Sequence, residues 1–173
     1  PDREAAMGIP TYFSGIDKFL IGMGKGDLII VGARPGMGKT AFCLNIASNV
    51  ACKKKKAVAI FSLEMSNEQI VSRMLSSEAL IDSYKMRSGE LEDTDWTNLA
   101  RAAGVLSETD ILIDDTSGIT VTQMKAKLRR VKNGQVDLVI IDYLGLMQSA
   151  KKTENRVQEV SDITRNLKAM AKE

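Results

Sequence analysis

Four side chains have the types and spacing to move a phosphoryl group: Lys39, Thr40, Glu64 and Asp142. Lys39 and Thr40 end the run Ala33-Arg34-Pro35-Gly36-Met37-Gly38-Lys39-Thr40, and Ala41 follows. Set against the pattern G-x-x-x-x-G-K-[ST], this run is a phosphate-binding loop. Backbone N–H groups of such a turn, with the positive end of the helix after it, form a concave anion site. There Lys39 reaches the β- and γ-phosphates, and Thr40 offers its hydroxyl to Mg²⁺. The departure is Ala33, where the pattern has glycine; Gly32 and Gly36 keep flexible backbone close by.

Two carboxylates extend the chemistry. Asp142 ends the apolar run Leu138-Val139-Ile140-Ile141. At the carboxyl end of a buried strand it lies where α/β sheets bind ligands. Beside a phosphate loop it reads as the second anchor of Mg²⁺, through water; alone it would read as a cap or turn residue. Glu64 follows Ile60-Phe61-Ser62-Leu63. It can orient and deprotonate a water attacking the γ-phosphate. It fits equally as an acid ahead of the Ser66 cap, favourable to the helix dipole, and spacing alone leaves the two open. Lys151, Lys152 and Arg156 fall in the loop after the Asp142 run and are candidates for contact with a nucleic-acid backbone. Lys53, Lys54, Lys55 and Lys56 read as a solvated helix end. Asp114-Asp115-Thr116 reads as a turn.

These residues need a strand before the loop and a helix after it. Residues 28–32, 57–62, 111–114 and 136–142 are short aliphatic or β-branched runs, and they predict four buried parallel strands. Helical patterns separate them, the first over residues 41–51. Ser66 with Gln69 is a capping box that opens a helix carrying Ile70, Met74 and Leu75. Trp96, Leu99, Ala100 and Ala103 form an apolar stripe, with Trp96 expected in the core. Thr120 with Gln123 repeats the capping box ahead of Val121, Met124, Leu128 and Val131. A last helix starts near Thr153 and carries Val157, Val160, Ile163, Leu167 and Met170. Such alternation predicts an α/β fold with a mainly parallel sheet flanked by helices. The methionines read as core filler.

Composition narrows the field. The 173 residues suit one domain, with 44% hydrophobic and 27% charged residues, the balance of an ordinary globular chain. There is no histidine, which excludes a zinc site and a histidine-based triad. Cys43 and Cys52 flank the loop helix too far apart to bridge, and read as reduced thiols of a cytosolic protein. No apolar run is long enough to span a membrane, and no signal peptide opens the chain. The net charge of +2 argues neither for nor against nucleic acid.

Several segments together resemble one family, the replicative DnaB-type helicases. They are Ile9-Pro10-Thr11, Gly15-Ile16-Asp17, Gly26-Asp27-Leu28-Ile29-Ile30-Val31, the phosphate loop through Phe42, Phe61-Ser62-Leu63-Glu64-Met65, Ile113-Asp114-Asp115-Thr116 and Val139-Ile140-Ile141-Asp142-Tyr143-Leu144. The resemblance covers nearly the whole chain. It implies a RecA-like P-loop core that hydrolyses ATP with Mg²⁺. It also implies a homo-hexameric ring on single-stranded DNA and 5′-to-3′ unwinding at the replication fork. Residues 33–41 would then hold the nucleotide, Lys39 and Thr40 would bind phosphate and Mg²⁺, Glu64 would be the catalytic base and Asp142 the Walker B carboxylate. Ala33, Arg34 and Pro35 are ordinary for that family. Tyr12 stands where the family has glycine, which is expected to affect packing and not catalysis.

The resemblance further implies primase and a helicase loader as partners, through regions partly absent here, and the cytoplasm of a bacterium or a phage-infected cell. It divides the chain into an entry or linker segment, 1–12, and a RecA-like ATPase domain, 13–173, truncated before its sensor strand and DNA-binding loop. The missing strand would lie between the phosphate-loop strand and the Asp142 strand. Direct pairing of residues 28–32 with 136–142 would therefore contradict truncation. The alternative is another RecA-like DNA-dependent ATPase, of the recombination or clock type. It would share Lys39, Glu64 and Asp142 but lack the wording around Glu64 and Asp142-Tyr143-Leu144.

Overall fold

Val58–Ser62 (β1) is buried at every position, and the rest of the chain is arranged about it. The structure is a computed structural model, and it describes residues 7–131, 135–150 and 155–173. β1 pairs in parallel with Ile111–Asp114 (β2) on one side and with Leu138–Asp142 (β3) on the other. The sheet order is β2-β1-β3. Ser62 and Asp142 are partners in register, so both strands deliver their last residues to the same edge.

Side chains alternate along β1 as a strand requires. Val58 and Ile60 face one layer, with Leu44, Ala47 and Val50 of the helix Lys39–Lys53 (α2, after Ser14–Leu20, α1) and Ile70 and Met74 of Asn67–Ala79 (α3). Ala59 and Phe61 face the other, with Val121 and Met124 of the helix Val121–Arg129 and Ile163 and Leu167 of the helix Arg156–Lys172. Two short-range elements, Ser83–Ser88 (α4) and Asp93–Ser107 (α5), pack on the end of α3 through Ala79, Ile81 and Ala102. Numbered in order, Val121–Arg129 is α6 and Arg156–Lys172 is α7. The result is the expected α/β arrangement, a parallel sheet covered by helices on both faces.

Both capping boxes form. Ser66 accepts from the Gln69 N–H while Gln69 accepts from the Ser66 N–H, and Thr120 and Gln123 do the same. The loop helix, Lys39–Lys53, extends past the expected 41–51 at both ends. The last helix begins at Arg156 behind the cap Asn155; Thr153 lies outside the described residues.

Two expectations are corrected. Residues 28–32 form no strand: they run without ladder hydrogen bonds and do not pair with β3. Leu28 packs on the Phe61 side of the core, but Ile29, Ile30 and Val31 are exposed, Ile30 by 67%. An apolar run becomes a strand only where a neighbour offers donors and acceptors, and among the described residues none lies beside this run. The second correction is Trp96, which is 58% exposed. The face of α5 that packs carries Leu99, Ala102 and Leu106, while Ala100 and Ala103 are exposed. Alanines fit either face of a helix, so they do not fix the phase of the stripe.

Residues 8–12 are tied to the elements after them. Ile9 and Met23 form an antiparallel bridge. The Asp17 carboxylate accepts from the Thr11 and Tyr12 N–H groups at 2.8 and 3.0 Å, and the Asn49 amide on α2 donates to the Thr11 carbonyl at 3.2 Å. Tyr12 has φ +65°, the left-handed region where glycine is at ease. Its ring lies 4.7 Å from the Lys53 ammonium.

Candidate active site

The phosphate loop folds as its glycines dictate. Gly36 and Gly38 have φ of +77° and +80°, conformations that L side chains rarely adopt. Among the described residues, nothing lies within 4 Å of where a side chain would start at either position. The Met37 N–H donates to the Arg34 carbonyl at 3.3 Å, and Gly38 starts α2 with no side-chain cap. The first-turn N–H groups of α2 are therefore left for an anion. Ala33 is not among the residues with positive φ, so its position does not need glycine. The missing glycine of the sequence pattern has no structural consequence.

Asp142 meets this loop from the far end of the chain. The Thr40 hydroxyl donates to Asp142 Oδ2 at 2.7 Å, across 102 residues of sequence. The Lys39 ammonium lies 3.4 Å from Asp142 Oδ1. Asp142 is only 4% exposed, and its Oδ1 is buried without a hydrogen-bond donor among the described residues. The lysine is thus close enough to neutralise the carboxylate but is not aimed at it. A buried, charged lone pair left open is costly, and a metal-bound water is the kind of group that would fill it. Among the described residues, no three His, Cys, Asp or Glu could cage a metal. Mg²⁺ needs no such cage: it takes one or two protein oxygens with phosphate oxygens and water. Thr40 and Asp142 fit that donor set.

Glu64 stands at the same edge. The Leu63 N–H donates to the Asp142 carbonyl at 2.8 Å, which sets the residue before Glu64 against the end of β3. The Glu64 carboxylate is exposed and has no hydrogen bond or ion pair among the described residues. It is accessible to a water, as a base must be. Cys43 lies one turn along α2, and its thiol is pushed up, first by burial and then by Asp142, with Lys39 opposing. It is therefore a neutral thiol and no nucleophile at neutral pH.

Sequence reasoning missed Tyr143. Its ring centroid is 4.1 Å from the Lys39 ammonium, so the lysine rests between a carboxylate and an aromatic face. Adjacency to Asp142 was the only signal available. Arg156 opens α7. Its guanidinium donates to Glu159 at 2.7 Å and to the carbonyls of Gly145 and Met147, tying the turn Leu144–Leu146 to the start of α7. Its side chain is still half exposed. Lys151 and Lys152 lie outside the described residues.

Residues 8–173 match the model of the DnaB-like helicase C terminal domain. The chain is 53% identical to the replicative DNA helicase DnaB of Nostoc sp. over 98% of its own length and 19% of the relative's. It is 51% identical to the replicative DNA helicase DnaC of Bacillus subtilis over 96% of its own length and 37% of that protein's. A solved structure of a DnaB-like replicative helicase, described with its interactions with primase, superposes with a TM-score of 0.89 at 32% identity. There 96% of this chain covers 41% of the other. A solved ATPase domain superposes equally well, with a TM-score of 0.89 at 32% identity, and 95% of this chain covers 60% of it. The chain thus spans between a fifth and two fifths of the length of the two curated relatives. With the phosphate loop, Asp142 and Glu64 gathered on one sheet edge, the chain belongs to the DnaB-like helicase C-terminal domain family.

Proposed function

We propose that this chain is the ATP-hydrolysing part of a replicative DNA helicase. The observation that carries the reading is the Thr40–Asp142 hydrogen bond of 2.7 Å, because it brings the loop and the strand-end carboxylate into one site. ATP places its phosphates against the backbone of residues 33–41, where the N–H groups other than at Pro35 can donate, and Lys39 leaves Asp142 and the Tyr143 ring to meet the β- and γ-phosphates. Thr40 and Asp142 would hold Mg²⁺, which would supply charge neutralisation at the phosphates. Glu64 orients a water and accepts its proton as the water oxygen bonds the γ-phosphorus. The bond from that phosphorus to the bridging oxygen breaks, and ADP and phosphate leave.

Coupling to single-stranded DNA, ring assembly, and work with primase and a loader belong to the longer protein. Family membership and the primase-related neighbour support them. Lys151, Lys152 and Arg156 are the proposed contacts to the DNA backbone. Residues 13–173 are proposed as part of a longer RecA-like domain whose next strand lies between residues 28–32 and β3. The exposed Ile29, Ile30 and Val31 support this, as does the fraction of each relative that the chain spans.

The test is ATP turnover by the full-length protein with and without single-stranded DNA, beside Lys39→Ala. Turnover that DNA stimulates, and that the variant loses, is the expected result. Turnover indifferent to DNA would overturn the helicase reading while leaving an ATPase.

A further inference from the structure

A base on a loop works only if the loop is held, since misplacement by about 1 Å can cost on the order of a hundredfold in rate. Glu64 lies in the short connection between β1 and α3, and three bonds fix it. The Leu63 N–H donates to the Asp142 carbonyl of β3 at 2.8 Å. The Ser62 hydroxyl donates to the Met65 carbonyl at 2.7 Å, bracing the turn from within. The Asn67 N–H donates to Asp115 Oδ2 at 2.9 Å.

The third bond is not ordinary capping. Ser66 and Gln69 already form a complete capping box at this helix start. The Asn67 N–H is a first-turn donor with no partner within the helix. Its acceptor comes from 48 residues away, just beyond β2. The connection is thus moored to both neighbours of β1, to β3 before Glu64 and to β2 after it. Asp115 is exposed and forms no ion pair among the described residues, so charge neutralisation does not explain its place.

We propose that Asp115 is a positioning residue for Glu64, acting through the Asn67 N–H. The inference rests on reading Glu64 as the base. Asp115→Ala in the full-length protein lowers kcat roughly tenfold to a hundredfold and leaves KM for ATP unchanged. Asp115→Asn keeps an acceptor oxygen and restores kcat to within about threefold of wild type. Amide exchange at Asn67 speeds up in the alanine variant and not in the asparagine variant. Glu64→Gln runs beside them. An Asp115→Ala protein with wild-type kcat, while Glu64→Gln is inactive, overturns the proposal and spares the base. A rise in KM that Asp115→Asn does not reverse also overturns it. A Glu64→Gln protein that turns over normally removes both.

Discussion

β1 and residues 28–32 are nearly the same kind of sequence, Val58-Ala59-Ile60-Phe61-Ser62 against Leu28-Ile29-Ile30-Val31-Gly32, and they meet opposite fates. β1 has a parallel partner on each side and is buried throughout. Residues 28–32 have no partner among the described residues and leave three large aliphatic side chains exposed. Propensity is shared; context is not. Yet residues 28–32 lead into the phosphate loop, while β1 leads to Glu64. One half of the site is set by the sheet, and the other by the start of α2.

The comparison breaks most sharply by truncating matched isoleucines. Ile60→Ala is expected to cost about 2–5 kcal/mol, and Ile30→Ala within about 0.5 kcal/mol, read from urea midpoints at constant slope. In the longer protein, a strand laid against residues 28–32 would raise the Ile30 cost toward the Ile60 value. Equal, small costs in both settings would count against that strand.

The loop side is probed by Lys39→Ala. If Lys39 meets the γ-phosphate as proposed, its loss should lower turnover on the order of 10²–10³-fold. Steady-state ATP hydrolysis by the full-length protein checks it.

Much of this is readable from residues alone. The strands around Glu64 and Asp142, both capping boxes and the meeting of Thr40 with Asp142 follow from local patterns whose partners lie within the described chain. The features that are not readable depend on neighbours. No pattern in residues 28–32 reports whether a partner strand exists. No spacing reports that the Tyr143 ring lies against Lys39, or that Asp115 moors α3; both arise from the sheet order. Arg156 reads in the sequence as a candidate contact to a nucleic-acid backbone, and only the structure shows its bonds to Glu159 and to the carbonyls of Gly145 and Met147.

A smaller effect is expected at the end of β2. Burial pushes the Asp114 carboxyl up, but hydrogen bonds from Lys127 and Thr116 outweigh it and hold it below the usual range. A carboxyl lowered in the folded state adds stability above its unfolded pKa, and loses it as pH falls through the folded value. Lys127→Met should therefore cost roughly 0.2–1 kcal/mol at neutral pH. The gap should close at acidic pH, once pH has fallen through the folded value. Paired urea titrations at the two pH values check the sign.

The smallest effect is expected at Tyr12→Gly. Relief of a left-handed tyrosine, roughly 1–2 kcal/mol, is offset by glycine's entropy, about 0.5–1 kcal/mol, and by loss of the Lys53 contact, about 0.5–1 kcal/mol. Thermal unfolding should shift little, and ATP turnover should not change.

The central claim is that the two halves make one hydrolytic site, with Glu64 serving a nucleotide held by the loop. The direct measurement is ATP binding and ATP turnover in the same Glu64→Gln preparation of the full-length protein. Binding within a few-fold of wild type, with turnover down on the order of 10²–10⁴-fold, is the predicted result. Turnover close to wild type would contradict it.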